Sequence, residues 1–448
     1  MKQLKIFLVA TFFSTLFLMP LFSHAQDTSG TKHLSLQEAI DLSIKNSKQL
    51  KASEARIEEA TGAVKEAQDN KLPNASISGS YVRIPNASVL LKTKAFGGSA
   101  DSTGGGSPNV NQAIYGIASV SLPIYSGGRI RYGIESAKYL QEAVTLDAEN
   151  DKEAVILNTI NAYTNLYKAS VTVNVVKENL RQSLQRDSVL SRLEQNGLLA
   201  RNDLLKAQLQ SSNIELSVLD AENNRKIAIV NMNLMLGLPE QTELITDSAG
   251  FEKNISLKNL EEYEQLALQN RKDILALSFR KKAASTGIAA AKAEMYPSIA
   301  LTGGYIAADI PHLISITNAV NVGVGVKYDL GSLWKTKARI VQAQAREREI
   351  SAGQAQLDDA VRLQINQDYE NYLLNTKKTE VYGKAVAQAR ENYRITKNKY
   401  DNNLVNTTDL LDANVSLLQS EISLAVAKAD VLLAYEKLLE TAGLITAN

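Results

Sequence analysis

Side chains able to do covalent or metal chemistry are scarce in this sequence. Its 448 residues include no Cys and 3 His, which excludes disulfides, zinc-thiolate sites, thiol catalysis and a lipid-modified cysteine at a mature N-terminus. His24 and His33 lie near the start of the chain, so His312, beside Pro311, is the one imidazole left for the folded body. A single imidazole forms no catalytic spacing. The expectation is a protein that is not an enzyme and uses no cofactor and no metal. What remains is a pair of carboxylates. Asp409 and Asp412 stand three residues apart and therefore on one face of a helix. Three chains around an axis would bring six such carboxylates into one narrow ring, which selects cations electrostatically and couples protonation to closure. The same stretch also suits a helix start: Thr407-Thr408-Asp409 and Asn202-Asp203 are good N-cap and first-turn residues beside a positive dipole end. For Asp203 capping is the main expectation.

The elements that would position those residues follow from composition and period. Lys+Arg number 49 against 48 Asp+Glu, and 44% of residues are apolar, enough for a large core and without the basic footprint of a nucleic-acid partner. Met1-Lys2-Gln3-Leu4-Lys5, the apolar run from Ile6 to Phe22 and Ser23-His24-Ala25 form a basic region, an apolar region and a small-x-small cleavage site. That pattern predicts a secretory signal peptide over residues 1–25. No later stretch approaches the ~20 continuous apolar residues of a spanning helix, so membrane insertion of the mature chain must use strands.

The chain is written twice. Leu72-Pro73-Asn74-Ala75 with Ser80-Tyr81 corresponds to Tyr296-Pro297-Ser298-Ile299 with Gly304-Tyr305, 224 positions on; Asp203-Leu204-Leu205 recurs as Asp409-Leu410-Leu411, 206 positions on. The 18 extra residues of the first half fall in the Gly/Ser-rich stretch from Phe96 to Pro108, a polar loop. The predicted organisation is a first repeat over 26–238, a linker over 239–256 outside the helical part, and a second repeat over 257–448.

Each repeat passes through the same periods. Residues 34–72 and 257–296 are rich in Ala, Glu, Lys, Gln and Leu and stop at Pro73 and Pro297, predicting one amphipathic helix each. A period of two follows: Ile77, Gly79 and Tyr81, then Ile114 to Tyr125; in the second half Ile299, Leu301, Gly303 and Tyr305, then Val320, Val322, Val324, Val326 and Tyr328. These are two β-hairpins, of about 9–11 residues per strand if they cross a bilayer. Arg129–Asn196 and Leu333–Asn402 then run without proline; each would be about 100 Å long as one helix. Leu411, Val415, Leu418, Ile422, Ala425, Ala429 and Leu432 alternate steps of four and three, a coiled-coil seam. Returning helices over 201–236 and 407–442 complete antiparallel pairs. Tyr163, Tyr167, Tyr369, Tyr372 and Tyr393 are expected to pack in helix seams, and Tyr81, Tyr125, Tyr305 and Tyr328 to form a belt at the strand ends.

Four strands leave two open edges, which a bilayer does not tolerate. Oligomerisation closes them, and three chains give 12 strands, an allowed barrel size. The expected fold class is mainly α with a membrane β-barrel: long antiparallel coiled-coil helices plus two β-hairpins per chain, forming a trimeric 12-stranded barrel with an α-helical tube beneath. A non-conducting structural or adhesive coiled-coil envelope protein is the alternative.

This duplicated order, with its two tip motifs Asn196-Gly197-Leu198-Leu199-Ala200-Arg201-Asn202-Asp203-Leu204-Leu205 and Asn402-Asn403-Leu404-Val405-Asn406-Thr407-Thr408-Asp409-Leu410-Leu411-Asp412-Ala413, resembles the TolC family of outer-membrane efflux ducts over essentially everything after residue 33. The resemblance implies a homotrimer in outer-membrane lipid, reaching into the periplasm and docking a periplasmic adaptor that serves an inner-membrane transporter. It implies export of small molecules or proteins. It matches Asp409 and Asp412 to constriction carboxylates, Tyr400 to a tyrosine that helps hold the entrance shut, and Gly197, Leu198, Asp203, Leu404 and Val405 to the adaptor-contacting tips. Where the family motif often carries a gate-locking arginine this chain has Val405, and Arg201 is the nearest substitute.

Overall fold

The computed structural model describes residues 30–88, 109–247, 257–311 and 314–445. The signal peptide, the Gly/Ser-rich insertion and His312 lie outside the described residues. The chain is mostly helical, with a smaller antiparallel sheet, and none of the described helices is long and apolar enough to cross a membrane.

The elements run in this order: β1 (Thr31–Leu34), α1 (Leu36–Asn46), α2 (Lys48–Asp69), β2 (Asn74–Ser88), β3 (Asn109–Tyr125), α3 (Arg129–Gln195) and α4 (Arg201–Leu236). The second half follows with β4 (Glu243–Thr246), α5 (Leu260–Asn270), α6 (Lys272–Ala293), β5 (Ser298–Ile310), β6 (Ile314–Lys327), α7 (Ser332–Asp401) and α8 (Thr407–Thr441). Two expectations need correction. The single helices over 34–72 and 257–296 are each broken in two. Ser47 interrupts the first, its hydroxyl capping α2 by accepting from Leu50 N. Arg271 interrupts the second, in extended backbone (ψ 126) that no helix continues. Leu34, taken as the first helical residue, instead ends a strand. That strand, β1, carries His33 and pairs in parallel with β4 inside the predicted linker.

The backbone separates into two compact units. One comprises the described residues of Met1–Leu42, Ala162–Glu252 and Ala389–Ala425; the other comprises those of Ser43–Asn161, Lys253–Gln388 and Val426–Asn448. Each draws on both sequence halves.

In the first unit, β1 and β4 are held down by one core: Leu34, Ala39, Tyr163, Leu166, Ile229, Met232, Leu236 and Leu244. Tyr163 is 1% exposed and does more than fill a helix seam. Its hydroxyl donates to Leu34 O at 3.0 Å and accepts from Asp247 N at 2.9 Å, tying the end of each short strand to α3. Burial pushes the phenol up to about 12, so it stays protonated and able to donate. The second unit repeats the scheme at the corresponding positions. Val361, Ile365, Leu438 and Ala442 enclose Tyr263 and Ala267, with Tyr369 packed against them. Gly237 and Gly443 end the two returning helices in the left-handed region (φ 69 and 67). A Cβ on Gly443 would lie 2.9 Å from Arg271 N, so glycine is required there.

The second unit also holds the four-stranded antiparallel sheet, in the order β2-β3-β5-β6. The strands are longer than expected, 15, 17, 13 and 14 residues. The register aligns Ala75–Val120–Gly303–Val322 and Ile77–Ala118–Tyr305–Val320 across the sheet. One face is therefore apolar, with Leu301, Val324 and Val326 continuing it. The opposite face carries Asn74, Ser76, Ser119, Ser121, Thr302 and Asn321, with Ile117 and Ile306 among them. β2 and β6 are the outer strands, and neither has a second neighbour among the described residues. The turn from β3 into α3 uses Gly127 and Gly128 at φ 64 and 93; a Cβ on Gly127 would lie 2.6 Å from Ala293 O.

Near the break at Arg271 charges crowd together. Arg271 holds Asp273 through Nε and Nη2 (3.1 and 2.7 Å), Lys272 pairs with Glu149 at 2.7 Å, and Lys437 pairs with the buried Asp368 at 3.0 Å. Glu153 of α3 is pushed up to about 7, first by burial and further by Glu440, Glu149 and Asp273, against the pull of Lys272.

Two measurements test this account. Tyr163→Phe should lower stability by about 1 kcal/mol, because it removes the phenol's bonds to Leu34 O and Asp247 N while the 3.3 Å bond between those two backbone groups remains; thermal unfolding by circular dichroism reads this, and Tyr369→Phe should cost less. Glu153 binds its proton more tightly folded than unfolded, so its ionisation costs stability as pH rises from the unfolded carboxyl range through about 7. Glu153→Gln should therefore raise the unfolding midpoint at pH 8 and leave it unchanged at pH 4.

Candidate functional site

The predicted site residues gather at the two turns that join α3 to α4 and α7 to α8, all in the first unit. The long helices form because 67 and 70 residues pass without a proline. They pair antiparallel with α4 and α8 because the buried positions of α4 recur at steps of three and four: Leu204, Ala207, Ile214, Val218 and Ala221 are apolar, with the small Ser211 between them.

Both turns end the descending helix in the same way. Gly197 sits at φ 72 and Asn403 at φ 58. Gly197 N donates to Glu194 O and Leu198 N to Leu193 O, both at 2.9 Å. Asn403 N donates to Tyr400 O and Leu404 N to Lys399 O, again at 2.9 Å. This is the paired closure of a Schellman motif, with asparagine taking the left-handed position that glycine fills in the first copy. Leu198 and Leu404 project from the turns, 74% and 73% exposed, while Val405 is half-buried.

The two following helices start differently. Asn406 precedes α8 and makes a reciprocal cap with Asp409: Asp409 N donates to Asn406 Oδ1 at 2.9 Å, and Asn406 N donates to Asp409 Oδ2 at 3.2 Å. The cap is thus Asn406 rather than the Thr407-Thr408 pair, and the readable signal was an Asn three residues before an acid. α4 has no such device. Ala200 stands at its N-cap without a side-chain bond. Asp203, expected to cap, instead pairs with Lys206 at 3.5 Å and stabilises the helix only through its position in the first turn. Arg201 pairs with Glu194 at 3.2 Å across the first turn.

Tyr400 links the two hairpins. It packs against the buried cluster of Leu190, Leu204 and Ala207 of the first hairpin, on which Leu193 and Leu199 also pack, and its hydroxyl lies 3.4 Å from Thr407 Oγ1. Asp409 and Asp412 both face solvent on α8, so neither carboxylate is used up by a cation of its own chain among the described residues. The structure brings Tyr400 together with the first hairpin. It leaves Leu198, Leu404, Asp409 and Asp412 pointing outward. Sequence reading missed the buried asparagines Asn179 and Asn414, whose only signal is polarity at seam positions.

Among the described residues of the tips no side chains are arranged as a catalytic site. Among the described residues no group of three or more His, Asp or Glu side chains is placed to hold a metal. A groove of about 380 Å³ beside β4 is lined by Tyr167, Asn174, Lys177, Arg225, Ile245 and Thr246, without a nucleophile and base in contact.

Comparison with known proteins agrees. The family model described as "outer membrane efflux protein" matches residues 39–238 and 264–444. The outer membrane efflux protein BepC of Brucella suis biovar 1 (strain 1330) is 25% identical over 411 residues, covering 87% of this chain and 86% of BepC. Among solved structures, the outer membrane protein VceC of Vibrio cholerae superposes with a TM-score of 0.74 at 18% identity, covering 91% of this chain and 96% of VceC. The open state of the Neisseria gonorrhoeae MtrE outer membrane channel gives 0.70 at 17% identity, covering 91% and 89%. With both halves matched by one family model, the chain belongs to the outer membrane efflux protein family: it is an efflux protein of the outer membrane, a transporter and not an enzyme.

Proposed function

We propose that three copies of this chain close into a 12-stranded barrel whose lumen continues into a helical tube, and that the tube is gated at its periplasmic end by the α7–α8 tips. The observation that carries the oligomer is the sheet. Its apolar face suits lipid, its outer strands β2 and β6 lack second neighbours among the described residues, and hydrocarbon does not tolerate unpaired backbone groups. Pairing β6 of one copy with β2 of the next satisfies both edges, and closure of a heterologous contact gives a ring.

The gate is argued from charge and contact. Asp409 and Asp412 are solvent-facing on α8, and three copies place six carboxylates around one axis, where mutual repulsion is relieved by cations. Tyr400 is the brace: it packs against the buried cluster of the first hairpin, so outward movement of the second hairpin must withdraw it. MtrE has been captured in an open state, which supports a tip able to occupy more than one position. Gly197, Leu198, Asp203, Leu404 and Val405 form the outer contour of the tips, and the exposed leucines are the contact points for a periplasmic adaptor serving an inner-membrane transporter. The energy for export comes from that transporter. Cargo is small molecules or proteins, met only in passing.

Two experiments test this reading. In planar bilayers the purified trimer should give a small cation-selective current, and Asp409→Ala/Asp412→Ala should enlarge the current and abolish the selectivity; absence of any current from folded trimers of both proteins sinks the channel reading. An engineered disulfide joining the α7–α8 tips of neighbouring copies should stop export in cells, with recovery on reduction. Export that persists through a confirmed cross-link eliminates the moving tip.

A further inference from the structure

Within the unit that carries the tips, the seam between the two helical hairpins changes character along its length. Away from the tips it is apolar, where Val176, Ile214 and Val218 pack with Leu180, Leu418 and Ile422. At the tips it is apolar again, around Tyr400. Between those layers buried polar groups appear beside the buried apolar Leu410, Leu411 and Ala413 of α8. Asn179 of α3 and Asn414 of α8 are 9% and 3% exposed. Their amides face each other reciprocally, Asn179 Nδ2 donating to Asn414 Oδ1 at 3.5 Å and Asn414 Nδ2 to Asn179 Oδ1 at 3.4 Å. Further along α3, Ser183 is buried and Asp187 accepts from the buried Ser211. Arg186 Nε and Nη2 and Asp187 Oδ1 are buried with no hydrogen-bond partner among the described residues.

The consequences differ for the two kinds of layer. Apolar layers resist separation in proportion to the area they bury. A buried amide pair does not: once water enters, each amide regains its hydrogen bonds. While the seam is dry, however, the pair admits one register, because a slip leaves two buried amides unpaired. Both bonds are at the long limit for such contacts, so the pair contributes register more than strength. Of the charged groups near it, Lys177 pairs with Glu222 of α4 at 2.6 Å, Glu178 with Arg181 at 2.5 Å, and Arg390 of α7 with Glu421 at 2.7 Å; Arg186 and Asp187, further along α3, keep buried polar atoms without a partner among the described residues, and Asp412 faces solvent.

We propose that Asn179 and Asn414 are positioning residues of the gate, forming the latch at which the α3–α4 and α7–α8 hairpins part when the tips open. This rests on the gated-channel reading above and adds the place where the bundle yields. The apolar layer at Val176 and Leu418 stays closed and acts as the fulcrum. The tip beyond the polar stretch moves.

Replacing both asparagines by aspartate separates a latch from a passive core position. Two carboxylates in one buried site repel when both are ionised and share a proton when one is neutral. Trimers carrying Asn179→Asp with Asn414→Asp should, in planar bilayers at pH 8, show an open probability about tenfold or more above wild type. At about pH 4 they should return to the wild-type value measured at the same pH. Either single Asn→Asp variant keeps one amide-to-carboxylate bond and should stay near wild type. Asp409→Ala/Asp412→Ala, recorded alongside, reports on the gate itself. A response to that variant together with wild-type behaviour of the double Asn→Asp variant at both pH values overturns the latch and leaves the gate standing. Should the double variant not assemble, Asn414→Ala decides. It strands the Asn179 amide; about tenfold higher open probability supports the latch, and an unchanged value overturns it.

Discussion

The unpaired backbone of two strands governs this molecule. β2 and β6 close a four-stranded sheet on either side with N–H and C=O groups that no residue of the same sheet accepts or donates to. In water such edges hydrate. In a membrane each unmet group costs several kcal/mol, which no amount of apolar side-chain burial on one face offsets. In the proposed assembly the remedy is a ring, and a ring of separate chains demands that each chain also bring its share of whatever lies beneath. The long helices, their antiparallel return and their arrangement in pairs are answers to that demand, since a wall built from repeated copies must be continued by repeated copies.

Duplication explains how one chain meets it twice. The two cores occupy matching positions: Tyr163, Met232 and Leu236 in one, Tyr369, Leu438 and Ala442 in the other, each 206 residues on. Yet the copies have diverged where geometry permits. Gly197 and Asn403 serve the same left-handed turn, because asparagine is the side chain that best tolerates it after glycine. The first copy secures its short strands with a phenol hydroxyl, while the second packs Tyr369 against Tyr263 at 6.4 Å between ring centroids and has no matching strand pair among the described residues.

How much was legible before any coordinates existed follows the strength of each local signal. Long runs without proline, an alternation of valine with asparagine and glycine, and a glycine or asparagine past a helix end are strong and mutually consistent, so helix termini such as Arg201, Leu236 and Thr407 and the order of the strands could be read. β1 and β4 could not. Four residues each, Thr31-Lys32-His33-Leu34 and Glu243-Leu244-Ile245-Thr246, carry too little period, and they are strands only because Tyr163 and the apolar floor above Met232 hold them. The breaks at Ser47 and Arg271 were hidden for a related reason. Helix propensity across them is high, and what decides is a single side chain capping a new turn or an arginine bridging Asp273 and Thr441 O. At the tips, residue types located the site, but only coordinates distinguished the reciprocal cap at Asn406 from the bare start at Ala200.

The apolar sheet face carries an obligation of timing. Val320, Val322, Val324 and Val326 alternate with asparagine and glycine along a strand that holds no charge until Lys327. Such a stretch, before it meets lipid, is what promotes cross-β aggregation. Between crossing the inner membrane and reaching the outer one, the chain must therefore travel escorted or be inserted faster than copies collide. Its yield in refolding will be set by the supply of detergent micelles or chaperone during those first moments, whatever the strength of the finished fold.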